Sequence, residues 1–389
     1  MNFLVGIGAA IAILSAAQIA SADTVKVGLI MSASGGFARW GEQTTGAIKI
    51  YQDQHGKSVN GHDIEILLRD DGGPDPSRAK QLAEELILRD KINILAGFAF
   101  TPNAMAVADL ITEAKMPTII TNAATVAILA KSPYYVRLSY TLPQVTTPEA
   151  EWALKAGIKK VATMVADYGP GLDAEGAFIA RFKAGGGTIV ESIRVPLSTT
   201  DFSPFFERVL NDKPDAMFMF GPGGPSSLGM IQTWASRLKP AGIQLLLTGE
   251  MQQIDMPKMG PAALGVVSAY MYTENDPNPI NKALWDAWRK DHAPKDSVPD
   301  IATVEAYDMM QLVYATVAKF GSSWDSDQVM AYWKGFKIAS PRGPILIDPD
   351  SRDVVQNIYM RKVQDRDGTL VNVNFDQFDM VRYPAKDAK

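Results

Sequence analysis

The sequence predicts an α/β protein of two doubly wound, Rossmann-like lobes joined by a hinge that the chain crosses more than once. From Val25 onward short β-branched runs alternate with longer amphipathic ones, the pattern of a parallel sheet covered by helices on both faces. The alternation falls into two series of similar rhythm. The length of 389 residues corresponds to about two domains at roughly 100–200 residues each.

Val25 to Met31 reads as the first strand, followed by a glycine-bearing loop at Ser32 to Gly36 and a helix from about Gly41 to His55. A strand at Ile64 to Arg69 leads to a helix opened by Asp75, which caps free N–H groups, and Pro76, which loses no hydrogen bond at the first helical position. Ala79, Leu82, Ala83, Leu86 and Ile87 then share one apolar face. Strands at Ile92 to Ala96 and Pro117 to Thr121 flank a helix that begins near Pro102 and carries Met105, Val107 and Leu110. The second series has strands at Lys160 to Val165, Thr188 to Val195, Asp215 to Phe220 and Gln244 to Thr248. Helices are expected between them near Ala174 to Lys183, Ser203 to Leu210 and Ser226 to Leu238, with Ser203 and Pro204 read as a capped start. A long helix at Ile301 to Lys319, a shorter one at Ser326 to Trp333 and hairpin-like strands at Ile345 to Ile347 and Gln356 to Lys362 complete the two lobes. A hinge between two such lobes makes a cleft, and the carboxyl ends of the strands face it.

Composition narrows the function. The balance of 38 Lys+Arg against 43 Asp+Glu, a net charge of -5 with no basic block, speaks against nucleic acid as a partner. The absence of Cys excludes disulfides, thiolate metal sites, cysteine nucleophiles and a lipid-modified N-terminal cysteine. The first 22 residues carry no charged side chain, Phe3 to Ala17 are apolar or small, and Ala20-Ser21-Ala22 supplies a small-x-small cleavage site. A signal peptide cleaved after Ala22 is therefore expected, leaving a protein that works outside the cytoplasm and is not a lipoprotein.

The sequence motifs of catalysis are missing: no G-x-S-x-G elbow, no Walker loop and no H-E-x-x-H, and His55 and His62 fall in what reads as a loop region. Gly221-Pro222-Gly223-Gly224-Pro225 imitates a dinucleotide loop, but its prolines remove N–H donors that a pyrophosphate needs. Asp70-Asp71 reads as a strand-end cap in preference to a metal or acid/base pair. No catalytic residue, metal site or cofactor is assigned.

From Val25 to about Asp365 the residues resemble the type I periplasmic substrate-binding proteins of ABC importers, in the leucine/isoleucine/valine-binding branch. The resemblance rests on the order and spacing of Lys26-Val27-Gly28 before Met31-Ser32-Ala33-Ser34-Gly35, Asp70-Asp71-Gly72, and Thr121-Asn122-Ala123-Ala124-Thr125. It continues through Asp167-Tyr168-Gly169-Pro170-Gly171, Thr200-Asp201-Phe202, Gly249-Glu250 and Pro341-Arg342-Gly343-Pro344. It implies the type I periplasmic binding protein fold, with residues 23–143 plus about 271–354 in one lobe and 144–270 plus about 355–389 in the other. It also implies capture of a small ligand between the lobes and delivery to the permease subunits of an ABC transporter, without catalysis and as a monomer.

The resemblance further implies a set of ligand contacts. Trp40 stands where the family places an aromatic residue on the first loop, with a core-lining Trp as the competing reading. Phe100-Thr101-Pro102 occupies the loop whose helix N-terminus would receive a carboxylate, Pro102 replacing the family's serine. Ala123 and Thr125 match the motif in which backbone groups and a threonine hydroxyl hold the head group. Tyr168 would close from the second lobe, and Glu250 matches the acid that neutralises an α-ammonium group, against an exposed-rim Glu. Pro222 replaces a second-lobe tyrosine, and the cradle altered at Pro102, together with Trp40, Phe100 and Tyr168, suggests a pocket for a flat or aromatic carboxylate. Branched-chain or related amino acids are the first expectation and benzoate-like or cinnamate-like acids the alternative. A ligand-sensing receptor domain on the same fold and a cleft hydrolase are readings of other classes.

Overall fold

The computed structural model describes residues 23–249, 251–291 and 297–383. The expected signal peptide, Met1 to Ala22, and Glu250 lie outside the described residues.

The first lobe is a six-stranded sheet of β1 (Thr24–Met31), β2 (Ser58–Val59), β3 (His62–Asp70), β4 (Ile94–Gly97), β5 (Thr118–Ile120) and β6 (Tyr135–Arg137), in the order β2-β3-β1-β4-β5-β6. All its pairings are parallel except β2 with β3. β1 is buried along almost its whole length, as a central parallel strand covered on both faces must be. The second sheet has nine strands: β7 (Lys160–Ala166), β8 (Thr188–Val195), β9 (Ala216–Phe220), β10 (Gln244–Leu247), β11 (Val267–Tyr270), β12 (Lys337–Ser340), β13 (Gly343–Ile347), β14 (Val354–Arg366) and β15 (Thr369–Val381). Its order is β12-β13-β14-β11-β10-β9-β7-β8, with β15 paired to β14. The five strands from β7 to β11 run parallel, and β14 joins β11 antiparallel.

The Asp75–Pro76 start holds as expected, with Asp75 Oδ1 accepting from the Arg78 N–H at 2.9 Å. Ser203 does not cap its helix: it is the first helical residue, and the Asp201 carboxylate accepts its N–H at 2.9 Å. The helix expected at Pro102 is two short ones, Thr101–Ala106 and Ala108–Glu113, broken at Val107. His55 ends a helix and His62 opens β3, so neither lies in a loop. Asp70 and Asp71 brace the β1 and β3 ends: Asp70 accepts from the Ala33 and Gly72 N–H groups, and Asp71 from Ser32 Oγ, Asn103 Nδ2 and the Gly73 N–H.

The helix Ile301–Phe320 packs along Ala38–His55, with Tyr51 meeting Tyr307 and Tyr314 edge-on at 4.9 Å each. Within the 271–354 segment expected in the first lobe, this helix and Pro279–Asp291 pack on the first lobe. β12 and β13 are nevertheless linked through β14 to the second sheet. The anticipated hairpin near the end is longer than expected: β14 pairs with β13 only at Val354 and Val355, and with β15 over most of its length.

Candidate functional site

The loops that follow parallel strands gather between the two sheets and line a cleft that is partly open to solvent. Arg39 and Trp40 come from the loop and helix after β1, Ala99 to Thr101 follow β4, and Asn122 to Ala124 follow β5. From the second lobe Tyr168 and Pro170 follow β7, Phe220 to Gly224 end β9 and its loop, and Thr248, Gly249, Gln252 and Asp255 follow β10. Tyr140, Tyr270 and Ile301 complete the lining. The polarity of parallel sheets dictates this arrangement, because only their carboxyl ends point the variable loops at the opposite lobe.

Two aromatic walls face the space. On the first lobe Trp40 lies 5.5 Å from Phe100, and Phe37 meets Phe100 edge-on at 4.9 Å. On the second Tyr168 stacks with Phe220 at 6.2 Å, and across the hinge Tyr140 meets Tyr270 edge-on at 5.4 Å. The lobes also touch at the mouth. A Cβ built on Gly223 would lie 3.4 Å from Trp40 Cζ2, and one on Gly224 would lie 3.5 Å from Phe37 Cε1. Both glycines hold positive φ, 82° and 63°, a conformation disfavoured for other residues, and this lets the backbone approach the rings. The Gly223 N–H donates to Ser227 Oγ at 3.0 Å, so the loop serves the lobe contact and offers no phosphate nest.

Among the described residues Arg39 is the only Arg or Lys of the lining. Its Nη1 donates to Asp255 Oδ1 of the second lobe at 2.6 Å, and its Nε lies 3.3 Å from Asp300 Oδ2, at the head of the long first-lobe helix. Burial pushes the Asp300 carboxyl up to about 6; Arg39 opposes this, while the neighbouring charge of Asp255 adds to it. Asp300 Oδ1 meanwhile accepts from the Ala302 and Thr303 N–H groups and so caps the helix.

Of the residues singled out in the sequence, Trp40, Phe100, Thr101, Ala123, Tyr168 and Pro222 meet on the cleft wall. Pro102 and Thr125 do not: Pro102 is half-buried in the second position of its helix, and Thr125 is buried behind the wall. Three groups of the expected head-group motif have partners inside the protein: the Ala123 N–H donates to the Phe98 carbonyl at 3.0 Å, the Thr125 carbonyl accepts from Arg137 Nη2 at 2.9 Å, and the Thr125 hydroxyl lies 3.0 Å from that of Thr101. Arg39 and Asp255 went unread, since their charges are plain in the sequence but nothing local pairs two residues 216 positions apart. Among the described residues no group of three or more His, Cys, Asp or Glu could hold a metal ion.

Residues 24–369 match the family described as periplasmic binding protein. The chain is 41% identical over 369 residues to Leu/Ile/Val-binding protein homolog 6 of Brucella melitensis biotype 1, covering 94% of each. It superposes with a TM-score of 0.90 on an ABC-transporter solute-binding protein of Rhodopseudomonas palustris HaA2 solved with p-hydroxybenzoic acid. That likeness has 43% identity and covers 92% of this chain and 98% of the other. A solute-binding protein of R. palustris BisB5, solved with 3,4-dihydroxybenzoic acid, gives 0.88 at 46% identity, covering 93% and 99%. With two α/β lobes, a cleft at the strand ends and these likenesses, the chain belongs to the periplasmic binding protein family and is a solute-binding protein of an ABC transporter.

Proposed function

We propose that the protein captures an aromatic carboxylate of the hydroxybenzoate class between its lobes and presents it to the permease subunits of its transporter. The carrying observation is the pairing of aromatic walls from both lobes with a single cationic side chain, Arg39. A flat ring is held by ring faces and edges, which supply contact area at little cost in side-chain freedom. A carboxylate is drawn to a guanidinium whose orientation two acids already hold. The hydroxybenzoates in the related R. palustris proteins support this choice over an aliphatic amino acid.

Capture in this reading makes and breaks no bond. Among the described residues the cleft lining carries no His, Cys, Ser or Lys, and Asp255 is tied to Arg39. Ligand bridges the lobes and favours the closed arrangement, which the permease reads. The chain would be exported with cleavage after Ala22, without a lipid anchor because it has no Cys, and act as a monomer in the periplasm.

A branched-chain amino acid is the second reading, favoured by the name of the Brucella relative and by the Asp255 carboxylate beside the cleft. Thermal unfolding of the chain from Asp23, with and without ligand, separates them. A ligand at about a thousand times its dissociation constant adds roughly 4 kcal/mol, several degrees in the midpoint. The expected result is a shift with 4-hydroxybenzoate and 3,4-dihydroxybenzoate and none with leucine, isoleucine or valine. A shift with the amino acids alone overturns the aromatic reading.

A further inference from the structure

The chain passes between the lobes three times, and the three passages meet at one side chain that is not part of the cleft lining. Residues 138–141 follow β6 into the second lobe, the segment after β11 returns at Met271, and β14 enters the second lobe again near Gln356. Arg342, wholly buried, touches all of them. Its Nη1 donates to the Ser139 carbonyl at 3.1 Å, to Met271 Sδ at 2.9 Å and to Gln356 Oε1 at 2.7 Å, and its Nη2 donates to the Leu138 carbonyl. Its Nε donates at 3.0 Å to Asp308 Oδ2, in the long helix that packs on the first lobe. Gln356 closes the ring by donating its own Nε2 to the Ser139 carbonyl at 2.9 Å.

We propose that Arg342 is the pin of the hinge, a positioning residue that sets how far and how often the lobes part without touching ligand. The planar, rigid fork of a guanidinium suits this task, because one side chain fixes several strands of chain at set angles, whereas an ammonium offers one point charge. With the passages locked together, the lobes turn as bodies about one place; with the pin removed, each passage flexes on its own. A hinge of this kind holds the two halves of the cleft in register, so the pin contributes to affinity through the population of the binding-competent arrangement. The affinity part rests on the aromatic-carboxylate reading, whereas the lobe motion does not.

The test uses the absence of Cys in the chain. Lys80→Cys and Asp212→Cys, at exposed positions on opposite lobes, carry spin labels whose separation is measured without ligand. Arg342→Lys, which keeps the charge facing Asp308 and loses the fork, is expected to broaden the distance distribution toward longer separations. It should also weaken 4-hydroxybenzoate binding about tenfold, as the binding-competent arrangement becomes that much less populated. Gln356→Leu, which removes the link between the first and third passages, is expected to broaden the distribution less and serves if Arg342→Lys does not fold. Folded variants with the parent's distance distribution overturn the proposal, even if they unfold at lower temperature. Failure of the parent to bind 4-hydroxybenzoate overturns the ligand reading alone, since the ligand-free distances still decide the pin.

Discussion

Replacing Arg39 with Met should destabilise the protein in a way that depends on pH. The guanidinium lies 2.6 Å from Asp255 Oδ1 and 3.3 Å from Asp300 Oδ2, with side-chain exposures of 22%, 9% and 1%. At an effective dielectric near 20 each attraction is about 5 kcal/mol before desolvation is subtracted. Breaking a fully buried pair costs about 3–5 kcal/mol, and with Arg39 partly exposed about 2–3 kcal/mol is expected near neutral pH. Asp300 supplies the pH dependence. Its carboxyl is pushed up to about 6 from the usual 3.8, so its stabilising contribution is present below 3.8 and is lost as pH rises through 6. Without Arg39 it climbs further, so the variant goes on losing stability at pH values where the parent's titration is complete. The gap between the chains therefore widens with pH. Urea unfolding at about pH 5 and about pH 7.5 measures it, with an excess loss of roughly 1 kcal/mol or more expected at the higher pH. Equal losses at both would show that Asp300 does not feel the guanidinium.

Other perturbations probe the wall, the loop and the buried acids. Trp40→Ala should weaken binding of a hydroxybenzoate by about 1–2 kcal/mol, about five- to thirtyfold by calorimetry, and an unchanged dissociation constant would remove Trp40 from the site. Thr125→Ala should cost about 1 kcal/mol of stability through the bond to Thr101, read from the urea midpoint, and no loss would show that this bond is not formed in solution. At Gly97 a Cβ would fall 2.1 Å from the Ile30 carbonyl oxygen at a φ of 110°. Gly97→Ala should therefore lower stability by at least about 2 kcal/mol, and a parent-like melting temperature would contradict the tight approach of β4 to β1. Asp308 and Asp353 join Asp300 in being raised to about 6 by burial, against the pull of Arg342 on one and Arg137 on the other. Each stabilises the fold in acid and loses order 1–3 kcal/mol as pH rises from about 4 through 6, so midpoints near pH 5 should exceed those near pH 8.

The aromatic members of the wall, Trp40, Phe100 and Tyr168, were legible through the resemblance to the binding-protein family, and they lie on loops at the ends of parallel strands, where such a sheet places its variable loops. Elements that break local rules stayed hidden. The helix Leu142–Lys155 carries Pro143 at its start and Pro148 inside, and its capping box of Thr141 and Gln144 was overlooked beside them. Pro279–Asp291 places Leu284 and Trp288 one turn apart on a buried face, a periodic signal that was present and not used. β15 is polar and largely exposed, so no apolar run marks it; its place comes from pairing with β14.

By itself the sequence determined the alternation of strands and helices, the two-lobed class, the helix start at Asp75 and Pro76, and the loops that meet at the cleft. These follow from hydrophobic period, caps and turns, whose reach is a few residues along the chain. Only the tertiary structure decided that Arg39 is held by Asp255 and Asp300, that Thr125 turns its hydroxyl to Thr101, and that Arg342 gathers three passages of the hinge. Those partners lie on separate elements, and a charge or donor in the sequence is satisfied by whichever partner folding brings within about 3 Å of it in a place shielded from water.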